Sequence, residues 1–255
     1  MKKIINFYFD ERIKNKKRIK LVKKYKFDGI FLMCDEQFEE NVKLARKYKL
    51  YIETAHLPYR NLCNNLWIDT KLGEDYVECI IDWIKLLGKN DIHKAVIHTA
   101  ATKTPPVMNS VGIERLKRIV KVCEEEKVVL AMENVHNWEY VLKPLSFIES
   151  DYLGICLDFG HANCFTKNIY DIDYSWLCKK LACVHIHDNL GSKDDHLVPF
   201  DGNIDYNFVF DKLKENGFDL NITLELESEL FYNNTKTYLS KAKESVERLV
   251  KLYEL

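Results

Sequence analysis

The sequence has no surplus of charge of either sign: 38 basic against 39 acidic residues leave a formal net charge of −1. Proteins that grip nucleic acid by its phosphates carry a positive excess, so the balance disfavours DNA or RNA as a partner. Lysine greatly outnumbers arginine, which leaves few guanidinium forks for bidentate phosphate recognition. Long apolar runs are missing too, and none approaches the roughly 18 residues of a membrane helix. The basic start Met-Lys-Lys is followed by INFYFDERIKNKK, which turns charged before the apolar core of a signal peptide can form. The reading is of a cytoplasmic chain with no membrane partner. The eight cysteines contain no CxxC pair, which argues against a cysteine zinc site and against a disulfide framework; reduced, buried thiols are expected. Absent as well are GxSxG, a P-loop and a Gly-rich dinucleotide fingerprint, which removes the hydrolase nucleophile elbow, the Walker cradle and the dinucleotide site.

What is present is one pattern repeated eight times. Short apolar segments at 3–9, 28–33, 50–56, 94–99, 128–133, 153–158, 182–187 and 221–226 are bounded by polar residues, as parallel strands buried on both faces are. Between them lie amphipathic stretches at 11–25, 37–48, 73–88, 111–126, 141–150, 170–180, 206–216 and 236–254, with apolar residues at helical spacing. Residues 73–88 show it in Tyr76, Cys79, Ile80, Trp83, Ile84 and Leu87. Eight alternating units predict an α/β fold, a (β/α)8 TIM barrel forming a single domain over residues 1–255. Three connections are longer than the rest, at 57–70, 100–110 and 188–205. Each follows a strand, which places it on the C-terminal face where such barrels build their active sites.

The strand-like runs close on metal-ligand residue types. LYIETAH ends in His56, KAVIHTA holds His98, and VVLAMEN holds Glu133. GICLDFGH holds Asp158 and His161, ACVHIHD holds His185 and His187, and ITLELE holds Glu225. A carboxylate at the inner end of a buried strand is costly unless its charge is compensated. No basic residue ends these strands, so a divalent cation is the expected partner. The predicted metal set is Glu133, Asp158, His185 and Glu225. Oxygen-rich coordination with one imidazole suits Mn, Co, Mg or Zn and does not choose among them. Side chains alternate along a strand, so His185 and His187 share a side; His185 is the expected ligand, with His187 behind it or on the substrate. The spacing of Asp158 and His161 lets both overlook one cavity where strand turns into helix. Asp194 and His196 form a DxH in the long seventh loop, where a solvated pair is an equal reading. His56 and His98 are read as ligands or as donors to a substrate hydroxyl. His136 is placed at the pocket rim, and His93 carries no signal.

Taken in order, ETAHLPYRNLCNNLW, MENVHN, LDFGHAN, VHIHDNLGSKDDHLVPFDGNIDY and LELE resemble the sugar phosphate isomerase/epimerase family of xylose isomerase-like TIM barrels. The motifs span residues 50–226. The resemblance implies a divalent-metal-dependent isomerase or epimerase of carbohydrate metabolism. Its substrate would be a sugar, sugar phosphate or related polyol ketone, converted by proton transfer through an enediolate. In the ketose 3-epimerases one ion is held by residues matching Glu133, Asp158, His185 and Glu225. The same resemblance makes Glu133 and Glu225 the catalytic pair that passes the proton, puts Glu139 in the place of a substrate-contacting Glu six residues after the first, and matches His161 to the histidine three after the Asp. One departure stands out: a substrate-binding Arg follows the strand-seven His in the epimerases, whereas this chain reads DNLGSK.

The superfamily also includes endonuclease IV, which implies the alternative of a zinc-dependent abasic-site nuclease. Its nine zinc ligands match His56, His98, Glu133, Asp158, His161, His185, Asp194, His196 and Glu225, and its Tyr after the first His matches Tyr59. The string HIHDN resembles the isomerase side more closely, and the loops that endonuclease IV inserts into DNA have no counterpart. The expected partner is therefore a small-molecule carbohydrate, with one catalytic ion or at most two. A homo-oligomer is left open.

Overall fold

A computed structural model describes residues 1–219, 221–227 and 234–254. Eight parallel strands form a nearly closed barrel: β1 (Lys3–Asn6), β2 (Gly29–Met33), β3 (Tyr51–His56), β4 (Lys94–Ile97), β5 (Val129–Glu133), β6 (Leu153–Asp158), β7 (Leu181–His185) and β8 (Ile222–Leu224). Their order around the sheet is β7-β6-β5-β4-β3-β2-β1-β8. A bridge between Ile186 and Leu224 draws β7 and β8 together. There Ile186 N donates to Thr223 O at 2.8 Å and Glu225 N donates to Ile186 O at 3.1 Å. The fold is the (β/α)8 TIM barrel that the alternation predicts. Helices cover one face of each strand and the barrel interior covers the other, so β6 is buried along its whole length. That is why the strands read as unbroken apolar runs.

The outer layer comprises α1 (Asn15–Lys24), α2 (Phe38–Lys47), α3 (Lys71–Lys89), α4 (Ser110–Glu126), α5 (Glu139–Phe147), α6 (Phe159–Cys164), α7 (Tyr174–Leu177), α8 (Tyr206–Glu215) and α9 (Thr235–Glu254). With apolar residues three and four apart, α3 buries Tyr76, Val77, Ile80, Ile81, Ile84 and Leu87. Each large apolar side chain buried in this way contributes about 1.5–3 kcal/mol. Thr70 and Asn109 start α3 and α4 by accepting from Gly73 N and Gly112 N, which satisfies donors the helix cannot pair internally. No helix among the described residues is long and apolar enough to cross a membrane.

Three elements differ from the sequence expectation. The apolar run 3–9 pairs as a strand only over Lys3–Asn6, while Phe7 and Phe9 are buried beyond it; the run marks burial, not pairing. The expected helix 170–180 shrinks to the single turn Tyr174–Leu177. Asp173 caps it through Ser175 N and Trp176 N, and β7 begins too soon for a second turn. The connection 57–70, read as loop, winds into a 3-10 helix over Arg60–Trp67.

Candidate metal centre and active site

Strands β3 to β8 direct His56, His98, Glu133, Asp158, His185 and Glu225 to the C-terminal end of the barrel. Glu133 is the hub. Its Oε2 lies 3.2 Å from His56 Nε2 and 3.1 Å from His98 Nε2. Its Oε1 lies 3.3 Å from His185 Nδ1 and 3.4 Å from His161 Nδ1. Glu225 Oε2 approaches His185 Nδ1 to 2.8 Å. Ligand atoms of Glu133, Asp158, His185 and Glu225 all fall within 4.8 Å of one another, as one shared ion requires. Three further groups meet the same measure: His56, His98 and Glu133; Glu133, Cys156 and His185; and His161, His187, Asp194 and His196. His187, expected behind the ligands or on the substrate, falls in the last of these groups, with Nε2 3.1 Å from Asp158 Oδ1.

Cys156 was missed. Its sulfur groups with Glu133 and His185, because Glu133 is in register with Cys156 across β5 and β6. The available signal was its place two residues before Asp158, on the same side of the strand.

Buried polar atoms without partners show whether these residues fit a cation. Among the described residues, Asp158 Oδ2, His185 Nε2, both ring nitrogens of His187, Asp194 Oδ1 and Glu225 Oε2 are buried with no aligned hydrogen bond. Several are close to an oppositely charged group yet misdirected for a hydrogen bond, which is what donors converging on a common centre do. Buried carboxylates and imidazoles are the donor set of a divalent transition ion. The residues fit one.

The local electrostatics agree. Burial alone would raise the Glu133 carboxyl, but His185 and His98 hold it well below the ordinary range. Burial likewise opposes ionisation of Glu225, and the neighbouring His185 brings it down to about 2. The imidazoles respond in the opposite sense. Burial works against protonating His185, and Glu225 and Glu133 outweigh it, raising that ring well above the usual value. His196 rises to about 10 against its burial through Asp194 and Glu225. His98 is lowered by its burial. Without a cation, the carboxylates are compensated by protons on histidine; a bound ion would displace those protons.

Neighbouring polar groups fix the geometry. Asp158 caps α6, its Oδ1 accepting from His161 N at 2.6 Å, so Oδ2 is the oxygen left without a partner. Asn134, not singled out from sequence, accepts from Asp158 N at 2.7 Å and takes His161 Nδ1 on its carbonyl at 3.0 Å. A Cβ on Gly160 would stand 1.8 Å from His187 Cε1, so only glycine lets that ring lie where it does. Asp188 is an organiser of the seventh loop, accepting from Asn189 N, Phe200 N and Ile204 N.

A cavity of about 390 Å³ opens over the cluster, lined among others by Tyr59, Arg60, His98, Glu133, His136 and Glu225. The Tyr59 ring packs on His56 and His98, centroids 4.8 and 5.1 Å away. Arg60 was not foreseen; it supplies a guanidinium at the rim of a site that lacks the arginine after strand seven. Glu139 corrects an expectation. It opens α5 exposed to solvent and pairs with Lys143 one turn on, and it lines neither this cavity nor the larger one beside it. The i,i+4 geometry of the helix outcompetes a reach back to the barrel mouth.

Comparison with known proteins supports the architecture. An uncharacterized protein of Methanocaldococcus jannaschii is 27% identical over 218 residues, covering 78% of this chain and 72% of its own. The IOLI protein, solved with a bound zinc atom, superposes with a TM-score of 0.79 at 20% identity, covering 99% of both chains. D-psicose 3-epimerase from Clostridium cellulolyticum H10 superposes with a TM-score of 0.77 at 15% identity, again covering 99% of both. A D-tagatose 3-epimerase-like protein follows at 0.75 and 24%, covering 100% of this chain and 98% of its own. These structural likenesses show the shared fold. The sequence itself matches the family described as xylose isomerase-like TIM barrel over residues 19–252, and the chain belongs to that family.

Proposed function

We propose that the chain is a metal-dependent isomerase or epimerase of a sugar or related polyhydroxy ketone. The observation that supports it most is the convergence of Glu133 and Glu225 on His185 Nδ1, at 3.3 and 2.8 Å, beneath a cavity in the size range of small-ligand sites. Glu133, Asp158, His185 and Glu225 would hold the ion. When bound, a divalent ion draws electron density from a carbonyl and its neighbouring hydroxyl and so acidifies the adjacent C–H. The residues of the chain do the rest. Both glutamates are depressed below the ordinary range, so at neutral pH each is a carboxylate able to accept a proton. One takes the proton from carbon and the other returns one, which leaves the C–H count unchanged. Glu225 is the member with an edge to solvent, its side chain 22% exposed against 1% for that of Glu133, and so meets the substrate first. His98, held neutral by burial, and the Tyr59 hydroxyl would donate to substrate oxygens. The epimerases among the fold neighbours run chemistry of this class.

One observation favours the nuclease as a second reading: there is more than one candidate donor group, and three of the groups have Glu133 in common, while phosphodiester cleavage benefits from ions that clamp attacking and leaving oxygens. Against it stands the absent charge surplus, 38 basic against 39 acidic residues, where a protein that holds duplex DNA by its phosphates carries a positive excess. The test is to strip the protein with a chelator, restore Mn, Co, Mg or Zn, and incubate it in D2O with a panel of ketoses, aldoses and their phosphates. Deuterium appearing next to the carbonyl by NMR is the expected result. Incision of an abasic duplex with no exchange into any sugar would transfer the assignment to the nuclease.

A further inference from the structure

Two arginines are buried in this protein, and they are treated differently. Arg115, 1% exposed, uses its whole fork. Nε donates to Glu74 Oε1 at 2.9 Å, Nη1 to Asn65 O, Leu66 O and Ile68 O, and Nη2 to Thr70 O. Arg18, 4% exposed, makes one hydrogen bond, from Nη2 to Ile13 O at 2.8 Å. Its Nε and Nη1 are buried with no acceptor among the described residues. The guanidinium lies over Phe7 and Tyr8, at 5.2 and 5.3 Å from the ring centroids, which steadies the cation without satisfying its donors. A purely structural arginine of this depth would spend its donors as Arg115 does, because an uncompensated buried charge is expensive.

The surroundings of Arg18 show what would compensate it. It lines a cavity of about 1580 Å³ that reaches Glu225, His56 and His196 at its other end, so that cavity adjoins the metal centre. Lys14, Asn15 and Lys16 line it beside Arg18. These residues are also the start of α1, whose N-cap, Lys14, gives no side-chain cap and whose first turn holds no acid. The turn therefore presents backbone donors and the positive end of the helix dipole. The acids in the same cavity do not close the gap. Asp35 has both oxygens engaged, by Tyr8 Oη at 2.9 Å and Gln37 N at 2.9 Å, and among the described residues no carboxylate accepts from the Nε or Nη1 of Arg18.

We propose that Arg18, the first turn of α1, Lys14 and Lys16 form a phosphate subsite, and that the substrate of this barrel is a phosphate monoester of a sugar. This rests on the isomerase reading for the reacting end of the molecule only. A phosphate dianion matches the set because it offers three oxygens to guanidinium, ammonium and helix donors at once. A carboxylate would occupy one edge of it. Glu11 and Glu36, which face the same cavity, would accept hydroxyl protons of the sugar chain between the two sites.

The test titrates the purified, metal-loaded protein with inorganic phosphate, followed by calorimetry. The wild type is expected to bind it, and Arg18→Met is expected to weaken it by at least about ten-fold, the lower range for a charged hydrogen bond. Arg18→Met keeps the aliphatic stem against Phe7 and Tyr8. If it fails to fold, the double variant Lys14→Ala/Lys16→Ala alters only exposed side chains and should weaken phosphate in the same direction. In turnover, the ratio of kcat/KM for a phosphorylated sugar to that for its free counterpart should fall by at least about ten-fold in the same variants. Phosphate bound equally by wild type and variants, or not bound at all, overturns the subsite even where free sugars are isomerised. Arg18-dependent phosphate binding without exchange into any sugar upholds the subsite and removes the isomerase reading.

Discussion

Both ends of this barrel bury a glutamate in its interior, and the two are compensated differently. At the N-terminal end Glu53, 2% exposed, has one oxygen 2.8 Å from Lys94 Nζ and the other 2.7 Å from Asn221 Nδ2. A fixed cation and an amide satisfy it completely. At the C-terminal end Glu133, also 2% exposed, has imidazoles as its close polar partners, and it shares a donor group with Asp158 and Glu225, each of which has an unpartnered buried oxygen. A lysine closes a site, since its charge is permanent at neutral pH. Histidines leave one open, since they can release their protons to an incoming metal. Stability assigned to the floor and function to the mouth is the usual division of labour in this fold.

The largest expected effect separates the ends by activity. Chelation should abolish turnover, and Glu133→Gln or Glu225→Gln should cut it by at least about 10², the lower range for general acid–base catalysis. Thermal unfolding of these variants should stay cooperative, because glutamine keeps the volume of the glutamate it replaces. Near wild-type turnover in either variant with metal bound would take that residue out of the mechanism. The next effect lies at the floor. Lys94→Met leaves Glu53 buried and unpaired, which costs on the order of 3 kcal/mol, while turnover per folded molecule is unchanged. Denaturant titration alongside initial rates measures both; an unshifted midpoint would mean that the floor is no more self-contained than the mouth.

How much of this contrast was legible in the sequence depends on what each residue's neighbours could announce. The mouth was legible because an apolar run that stops on His or Glu states its own position: His56, Glu133, Asp158, His185 and Glu225 each sit at a strand end or one residue past it. Pairing across strands is not written locally. Cys156 joins Glu133 through register between β5 and β6, and nothing within either strand specifies that register. Glu139 shows the converse. Its separation from Glu133 fits the family pattern, but in this chain the loop turns outward and the first turn of α5 carries the side chain into solvent. Arg18 was hidden by composition. In the stretch KNKKRIK a buried cation is indistinguishable from solvated ones until the packing of Phe7 and Tyr8 is known. Glu53 was passed over because strand β3 begins exposed, at Tyr51, and its partner Asn221 lies across the barrel.

A smaller effect distinguishes the ends by pH in chelated protein. The carboxyl of Glu225 stands at about 2, below its ordinary 4.5, so its contribution is present above pH 4.5 and is lost as pH falls through 2. His196 stands at about 10, above its ordinary 6.5, so its contribution is full below pH 6.5 and is lost as pH rises through 10. Lys94 is raised above 10.5 against its burial by Glu53, so the floor pair holds throughout that interval. Metal-free protein should therefore lose thermal stability steadily from pH 6.5 to 10, while metal affinity grows over the same range as the imidazoles deprotonate. An unchanged melting temperature between pH 5.5 and 9.5 in chelator would show that protonated histidines do not balance the mouth.

The smallest effect tests whether position at the mouth is itself enough to imply function. Asn109 lies on the same face as the candidate metal ligands, at the end of the long loop after β4. Its Oδ1 accepts from Gly112 N at 3.1 Å to start α4, and its Nδ2 donates to Trp67 O at 2.7 Å. It lines neither cavity. Asn109→Ala removes an N-cap, a loss of about 1 kcal/mol, and frees the Trp67 carbonyl, which is partly buried. The melting temperature should drop by a few degrees while metal affinity and turnover remain those of the wild type. A fall in turnover larger than the fall in folded fraction would mean that the loop after β4 reaches the substrate, and that the boundary between structure and chemistry runs through the mouth and not between the two ends.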